Sequence, residues 1–260
     1  MVVDCHTHIK YAGRENLDLS EHIEAVEVVD KCVVLAAPDG DLDQANALLS
    51  EYVGKYNQKM VGFAFVNPLT DPVSPRALKS VTEKLGLKGV VLYCSQTGFH
   101  PTHSRAMQLY ESAQELALPV FFHNSPVGPN DFLEYAQPFL LDEVARSFPT
   151  LKIIIGNMGR PFVEQTLCLL AKHQNVFGDL SINPDNAWEV YNLVVAAHEQ
   201  AVLDKLLFGS AFPAARAQQC IETLLGFNRL LGTANLPTVP RENIQHIIER
   251  DSLLLLGIEK

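Results

Sequence analysis

The sequence predicts an α/β fold: a (β/α)8 barrel that forms one domain over residues 1–260. Short apolar runs rich in β-branched and aromatic residues recur eight times along the chain. Longer segments with helical spacing separate these runs. Continuous apolar strands joined by helices are typical of a parallel sheet covered by helices, and eight repeats in roughly 250 residues match a closed barrel.

Each predicted strand is a short apolar run bounded by turn residues. The strands are VVDCHTHI from Val2, CVVLAA from Cys32, MVGFAFV from Met60, GVVLYC from Gly89, PVFFHN from Pro119, LKIIIGN from Leu151, NVFGDLS from Asn175 and KLLFGS from Lys205. Apolar residues at three- and four-residue steps predict helices between them, as in HSRAMQLYESAQELAL and RPFVEQTLCLLAKHQ. The segment RENIQHIIERDSLLLLGI is predicted as a closing helix after Pro240.

A doubly wound open sheet is the competing architecture. It is disfavoured because the first strand ends in histidines where a Gly-rich dinucleotide turn would stand, which also argues against a nicotinamide oxidoreductase. The composition, 47% hydrophobic and 19% charged, excludes a disordered chain. A net charge of −10 argues against binding to nucleic acid or to an anionic membrane surface.

The first residues and the cysteines of the chain indicate the cellular compartment of the protein. The start MVVDCHTHIK has no basic, apolar signal segment, and no run approaches the roughly 20 apolar residues of a membrane helix, so we expect a cytoplasmic protein. Five cysteines without a CxxC motif favour reduced core residues over a disulfide framework.

The sharpest local signal is the sequence Asp4-Cys5-His6-Thr7-His8 at the end of the first strand. Side chains two residues apart on a strand share a face, so His6 and His8 could offer imidazole nitrogens to one metal ion. His123 ends the apolar strand PVFFHN, at the face where barrel active sites form. Three neutral imidazoles suffice to hold Zn²⁺ with a water as fourth ligand, although each histidine could instead be a hydrogen-bonded strand-end residue.

Taken together and in order, several motifs resemble the amidohydrolase superfamily, specifically its amidohydrolase-2 branch. These motifs are DCHTH, the KGVVLY strand with its GFHP loop, PVFFHNSP, IIIGNMGRPF, NVFGDLS, LLFGSAFP and the terminal REN and LLLLGI runs. The resemblance covers nearly the whole chain. It implies a barrel enzyme that uses one divalent metal, often zinc, to activate water for hydrolysis or to promote decarboxylation. It also implies that His6, His8 and His123 are the metal ligands.

Two positions depart from the pattern that the resemblance implies. Asn157 stands where the family usually has a strand-six histidine, and Ala211 stands where it usually has a strand-eight aspartate that ligates the metal and handles the proton of the attacking water. A methyl group can do neither, and a positioned base is typically worth about 10²–10⁴ in rate. Asn157 forms hydrogen bonds but does not titrate near neutral pH.

Asp179, at the end of the seventh strand, is the better candidate for the replacement acid, and Asp39 is the second. Asp179 could instead cap the following turn through Ser181 or a backbone N–H.

Pocket candidates come from the loops at the same face. They are Tyr93, Phe99, His100, His103 and Arg160. Arg160 could bind a substrate carboxylate with two hydrogen bonds, or could be a solvated helix-start residue. His103 could simply open the next helix, and Trp188 is interpreted as helix packing.

Two hypotheses follow. The first is a metal-dependent hydrolase or lyase with one zinc per chain, acting on a small amide, lactone or carboxylated substrate. The second is a non-catalytic relative that keeps the barrel and binds a metal or small ligand, because Asn157 and Ala211 replace functional residues. Either protein would bind a small molecule and neither nucleic acid nor membrane, and a homodimer is left open.

Overall fold

Eight parallel strands form one sheet in which each strand pairs with the next along the chain. The computed structural model describes residues 1–9, 19–38, 42–124, 128–226, 228–229 and 235–259. The strands are β1 (Val3–Thr7), β2 (Lys31–Leu35), β3 (Met60–Phe65), β4 (Gly89–Leu92), β5 (Val120–Phe122), β6 (Ile153–Ile155), β7 (Val176–Asp179) and β8 (Leu206–Leu207). All eight predicted strands are therefore present.

Helices follow the strands along the chain and cover the outside of the sheet. They are α1 (Leu19–Ala25), α2 (Leu42–Lys55), α3 (Pro75–Leu85), α4 (Cys94–Thr97), α5 (Ser104–Glu115), α6 (Leu141–Ser147), α7 (Val163–Lys172), α8 (Ala187–Glu199), α9 (Ala217–Gly226), α10 (Arg241–Ile248) and α11 (Ser252–Leu255). Short 3₁₀ segments lie between some of them, including Gly156–Gly159 after β6 and Pro184–Asn186 after β7.

The barrel closes between β1 and the segment that follows β8. The backbone N–H of Cys5 donates to the carbonyl of Phe208 (2.8 Å), and that of His8 donates to the carbonyl of Phe212 (2.9 Å). These bonds satisfy the edge of β1 that β2 leaves open, since buried backbone groups need partners. The closure confirms the predicted (β/α)8 barrel over the open sheet.

The strands are apolar throughout because both of their faces are buried. Every residue of β3, β5 and β6 is buried, with one face toward the barrel interior and the other under the helices. Four of the five cysteines, all but Cys168, lie in this core, and all five are free thiols. None of the helices in the described part of the chain is long and apolar enough to cross a membrane.

The predicted closing helix is wrong in one respect, because the segment forms two helices, α10 and α11. The break lies at Arg250, whose guanidinium donates to the carbonyls of Leu203 and Leu206 next to β8 (3.3 and 3.0 Å). Asp251 then caps α11 by accepting from the backbone N–H of Leu254 (3.0 Å). Continuing the helix would leave these carbonyls without their donor.

Candidate metal centre

The carboxyl-terminal ends of β1 and β5 bring three histidines together. His6 lies in β1, His8 is the first residue after β1, and His123 is the first residue after β5. All three side chains are buried, and one nitrogen from each lies within 4.8 Å of the others. The ring centroids are 5.0 to 5.2 Å apart. The structure therefore places together the three residues that the sequence predicts as metal ligands.

Two of the rings turn their Nδ1 atoms toward oxygen acceptors. Nδ1 of His6 lies 2.7 Å from Oδ2 of Asp179, and Nδ1 of His8 lies 3.3 Å from the carbonyl oxygen of Leu35. Because a carboxylate and a carbonyl only accept, each Nδ1 carries a proton, and each Nε2 of a neutral ring carries a lone pair. The two Nε2 atoms are 3.0 Å apart, so their lone pairs repel each other unless a proton or a metal cation lies between them.

The third ring supports the same interpretation. Nδ1 of His123 is buried and has no hydrogen-bond partner in the described part of the protein. Burial lowers the pKa of His123 well below its usual range, and the proximity of two further ionisable rings, His6 and His8, adds to this effect. Burial likewise lowers the pKa of His8. Neutral imidazoles are the form that binds a metal, so the donor set fits a divalent cation.

Asp179, the last residue of β7, fixes the orientation of His6. Its carboxylate is fully buried and accepts hydrogen bonds from Nδ1 of His6 (2.7 Å), the hydroxyl of Ser181 (2.5 Å) and the backbone N–H of Asn157 (3.0 Å). The backbone N–H of Ser181 donates to the other carboxylate oxygen of Asp179, Oδ1 (3.1 Å). Burial alone would raise the pKa of Asp179, but its interactions with His6 and its hydrogen bonds from Ser181 and Asn157 outweigh burial and lower it. A carboxylate behind a ligating histidine fixes its tautomer and raises its basicity.

Gly209, which follows β8, gives Asp179 access to His6. A Cβ atom at this position would overlap Oδ1 of Asp179 and would lie 3.1 Å from Cβ of His6. The absence of a side chain at Gly209 is therefore a condition for the hydrogen bond between β1 and β7.

Asn157 braces the end of β6. Its backbone N–H donates to Asp179, and its side-chain amide donates to the carbonyl of Asn124 (2.6 Å). Its φ of 52° lies in the left-handed region, which asparagine tolerates better than most residues. Asn157 therefore ties the ends of β5, β6 and β7 together.

A cavity of about 340 Å³ opens beside His6 and His123. Its lining residues are His6, His123, Asn157, Arg160, Ser181, Ile182, Asn183, Asp185, Ser210, Ala211, Ala214 and Ala215. Most of them follow β6, β7 or β8, so the cavity lies at the carboxyl-terminal face of the barrel, as in other barrels with active sites.

Comparison with known proteins identifies the family. A family model described as amidohydrolase matches residues 3–246. The chain belongs to the amidohydrolase family. This match confirms the resemblance that the sequence motifs indicated, and it supports a metal-dependent hydrolase or lyase over a non-catalytic binding barrel.

Curated relatives of this amidohydrolase include dihydroorotases from Helicobacter acinonychis (strain Sheeba) and Helicobacter pylori (strain HPAG1). Each is 28% identical over 130 residues, which is 50% of this chain. The matched region spans about a third of the length of these relatives.

Solved structures share the barrel at low sequence identity. A probable 2-pyrone-4,6-dicarboxylic acid hydrolase from Acinetobacter baumannii, with citric acid bound, has a TM-score of 0.71 at 17% identity, covering 98% of this chain and 99% of its own. A 2,6-dihydroxybenzoate decarboxylase from Rhizobium has a TM-score of 0.69 at 16% identity, with 100% and 99% coverage. A dihydroxybenzoic acid decarboxylase from Polaromonas sp. JS666, with bound manganese, has a TM-score of 0.68 at 16% identity, with 100% and 97% coverage. These likenesses show the fold.

The other predicted site residues of the amidohydrolase lie in different surroundings. Arg160 lines the cavity, whereas Tyr93, Phe99 and His100 are not among its described lining residues. Tyr93 is buried with its ring 4.6 Å from the His123 ring, and its hydroxyl donates to the carbonyl of Ala36 (2.8 Å). Phe99 is fully buried in the core. Substrate contact by these three residues stays a prediction.

Three further residues have local structural contacts. His100 accepts from the backbone N–H of Thr102 (3.1 Å), and His103 caps α5 by accepting from the N–H of Arg105 (3.3 Å). Trp188 is exposed on α8 and stacks on Tyr191. Asp39, the second candidate acid, lies outside the described residues.

Sequence reasoning gave no role at the centre to Asp4, and it named Ser181 only as a residue through which Asp179 could cap the following turn. Oδ1 of Asp4 accepts from the backbone N–H groups of His6 (3.2 Å) and Ser210 (3.0 Å), which joins β1 to the segment after β8. Burial raises the pKa of Asp4 to about 6. Ser181 contacts both His6 and Asp179. Asp4 lies on the same strand face as His6 and His8 at two-residue steps, a signal that could have identified it.

Replacing Gly209 with alanine tests the packing around Asp179. We expect Gly209→Ala to lower the free energy of unfolding by about 1–3 kcal/mol, because the added methyl overlaps a buried carboxylate. Urea unfolding in the absence of metal measures this change. Gly54→Ala in α2 is the matched control, since its Cβ would meet nothing within 4 Å. Equal stability of both variants would contradict the packing argument.

Replacing Asp179 with asparagine tests its support of His6. Four donors point at the Asp179 carboxylate, so the NH₂ group of an asparagine must face at least one of them. We expect Asp179→Asn to weaken binding of a divalent metal about 10- to 100-fold, measured with added zinc as the probe by competition with a chromophoric chelator. Asp142→Asn is the control, because Asp142 forms a similar pair with His173 (2.7 Å) away from the cavity. An unchanged zinc affinity in Asp179→Asn would show that His6 does not depend on this carboxylate.

Proposed function

We propose that this amidohydrolase uses one zinc ion, held by His6, His8 and His123, to hydrolyse or decarboxylate a small carboxylated substrate. One observation carries the proposal: the two Nε2 atoms of His6 and His8 lie 3.0 Å apart while both Nδ1 atoms face acceptors. That arrangement is favourable when a cation binds both nitrogens. His123 supplies the third imidazole at the same point.

The donor set favours zinc among the divalent metals. Imidazole nitrogen suits zinc, and three protein ligands with an open fourth position are typical of catalytic zinc sites. Manganese is the second candidate, because the Polaromonas relative contains it. When bound, such an ion lowers the pKa of a water molecule and polarises a carbonyl group.

The protein's own residues orient the ligands and the substrate. Asp179 holds His6 in the tautomer that presents Nε2, and all three ring side chains are buried, with His6 and His123 at the cavity wall. Arg160 lies at the cavity wall, where its Nε is 2.9 Å from Oε1 of Glu189 and its Nη1 donates to the carbonyl of Ser181 (3.0 Å). A guanidinium has five N–H donors, so further donors remain for a substrate carboxylate.

A carboxylated substrate is supported by this arginine and by the solved relatives. The Acinetobacter protein is described as a dicarboxylic acid hydrolase and the Rhizobium protein as a dihydroxybenzoate decarboxylase. The cavity adds polar groups from Asn157, Ser181 and Ser210, which could bind the remaining oxygens of such a ligand. We also propose a cytoplasmic location and leave a homodimer as a prediction.

Metal content tests the proposed centre directly. Protein purified without chelator or affinity tag should contain about one zinc per chain, and both His6→Ala and His123→Ala should lose it, because two imidazoles bind far more weakly than three. Elemental analysis measures this. His173→Ala is the control, since His173 is largely buried but pairs with Asp142 outside the centre. Full zinc retention in both ligand variants would contradict the three-histidine site.

Activity is then assayed with the zinc- and manganese-loaded protein. The panel contains 2-pyrone-4,6-dicarboxylate, 2,6-dihydroxybenzoate and dihydroorotate, which represent the named relatives. Metal-dependent turnover of one panel member is the expected result. A metal-loaded protein that turns over none of them would overturn the proposed function.

Replacing Arg160 tests carboxylate binding without turnover. We expect Arg160→Met to weaken citrate binding to the zinc-loaded protein by roughly 10- to 150-fold, since a hydrogen bond to a charged group contributes about 1.5–3 kcal/mol. Calorimetry measures the affinity. Arg146→Met is the matched control, because Nε of Arg146 also pairs with a carboxylate, that of Asp142 (3.2 Å), but away from the cavity. Equal citrate affinities in the two variants would remove Arg160 from substrate binding.

A further inference from the structure

Ala211, in the segment that follows β8, offers the cavity no group that can transfer a proton. Ala211 lines the cavity together with His6 and His123, and its side chain is a methyl group. Hydrolysis still requires that a proton leave the attacking water and reach the leaving group. A side chain on the cavity wall that carried this proton would take the place of the carboxylate that Ala211 lacks.

Asp179, the replacement acid that the sequence suggested, already uses both carboxylate oxygens in hydrogen bonds within the fold. It is fully buried, and its two oxygens accept four hydrogen bonds, from His6, Asn157 and both the hydroxyl and backbone of Ser181. It is not among the described residues that line the cavity. Protonating Asp179 would also add a donor to a carboxyl group whose four contacts are all donors.

Asp185 is the one carboxylate among the described residues that line this cavity. It lies in the 3₁₀ helix Pro184–Asn186 that follows β7, at the same face of the barrel as the histidines. The side chain of Asn183 fixes this turn by accepting from the backbone N–H of Asp185 (3.1 Å). The Asp185 carboxylate has no hydrogen bond or ion pair to any described residue, whereas the nearby Glu189 is paired with Arg160.

We propose that Asp185 is the catalytic acid–base of this amidohydrolase, an inference that rests on the proposed function. In the hydrolysis of a lactone, the water oxygen forms a bond to the carbonyl carbon while Asp185 accepts one water proton. The ring C–O bond then breaks, and Asp185 donates that proton to the leaving oxygen. The second water proton is at first on the new carboxyl group, which then releases it to solvent. Asp185 is again a carboxylate, and one water molecule has been consumed.

The first experiment compares Asp185→Asn with the parent, using 2-pyrone-4,6-dicarboxylate as the lactone probe and zinc-loaded protein. We expect kcat to fall about 10²- to 10⁴-fold, the usual contribution of a positioned acid–base. Zinc content by elemental analysis should stay within about twofold of the parent, because Asp185 is not a metal ligand. Citrate affinity by calorimetry should not fall, because the change removes a negative charge from the cavity in which the anion binds. Asp204→Asn is the matched control, since Asp204 is also exposed in a three-residue 3₁₀ helix, Leu203–Lys205, next to β8.

The second experiment is chemical rescue of Asp185→Ala. Removing the side chain leaves room for a small carboxylate, so added acetate should restore part of kcat in a concentration-dependent way in this variant and in neither the parent nor Asp204→Asn. A merely structural role for Asp185 would give no rescue.

The possible results separate this inference from the proposed function. Turnover by Asp185→Asn equal to the parent, or a loss of activity that coincides with a loss of zinc, would overturn the role of Asp185 and leave the metal-dependent activity in place. A zinc-loaded parent that turns over none of the panel would overturn the proposed function and this role with it.

Discussion

The buried hydrogen bond between Asp179 and His6 is the interaction on which the metal centre depends. It joins β1 to β7, two strands that are not neighbours, across the glycine that follows β8. It fixes which nitrogen of His6 faces His8, and it sets the position of Asn157 and Ser181 through the same carboxylate. The orientation of His6 therefore depends on closure of the barrel. The Asp179 carboxylate reaches His6 only when β8 places Gly209 between β1 and β7.

This arrangement makes the centre costly without a cation. Three imidazoles are withdrawn from water, and two of them face each other through Nε2 atoms that are 3.0 Å apart. Buried polar groups without partners destabilise a fold, and a ligand that binds only the folded state stabilises it. The centre thus links metal binding to folding: the ion removes the repulsion between His6 and His8 that the fold would otherwise have to tolerate.

Much of this could be predicted from local sequence patterns. The eight apolar runs and the two-residue spacing of His6 and His8 are properties of short segments, and each predicted the correct element or cluster. The contact between His6 and Asp179 spans 173 residues, so no local pattern indicates it. The same holds for left-handed backbone at Asn157, Ser181 and Ala211, because only the packed barrel ends impose that conformation on residues other than glycine. The break at Arg250 is a similar case, since its acceptors come from the chain near β8.

The backbone conformation at Ala211 explains how the proton-transfer group could shift to another residue while the barrel stayed the same. Its φ of 52° lies in a region that asparagine and aspartate adopt more readily than alanine, so the backbone conformation at this position suits the aspartate that the family resemblance predicts there. With alanine at this position, the segment after β8 still contacts β1, since the backbone N–H of His8 donates to the carbonyl of Phe212 (2.9 Å). Strand ends in such a barrel fix the ligands, whereas the connecting loops can exchange functional groups at little cost to the core. A proton carrier on the loop after β7 is consistent with this division: Asp179 is held by the strand ends for orientation, and Asp185 lies on a loop turn where its carboxylate stays unengaged by the fold.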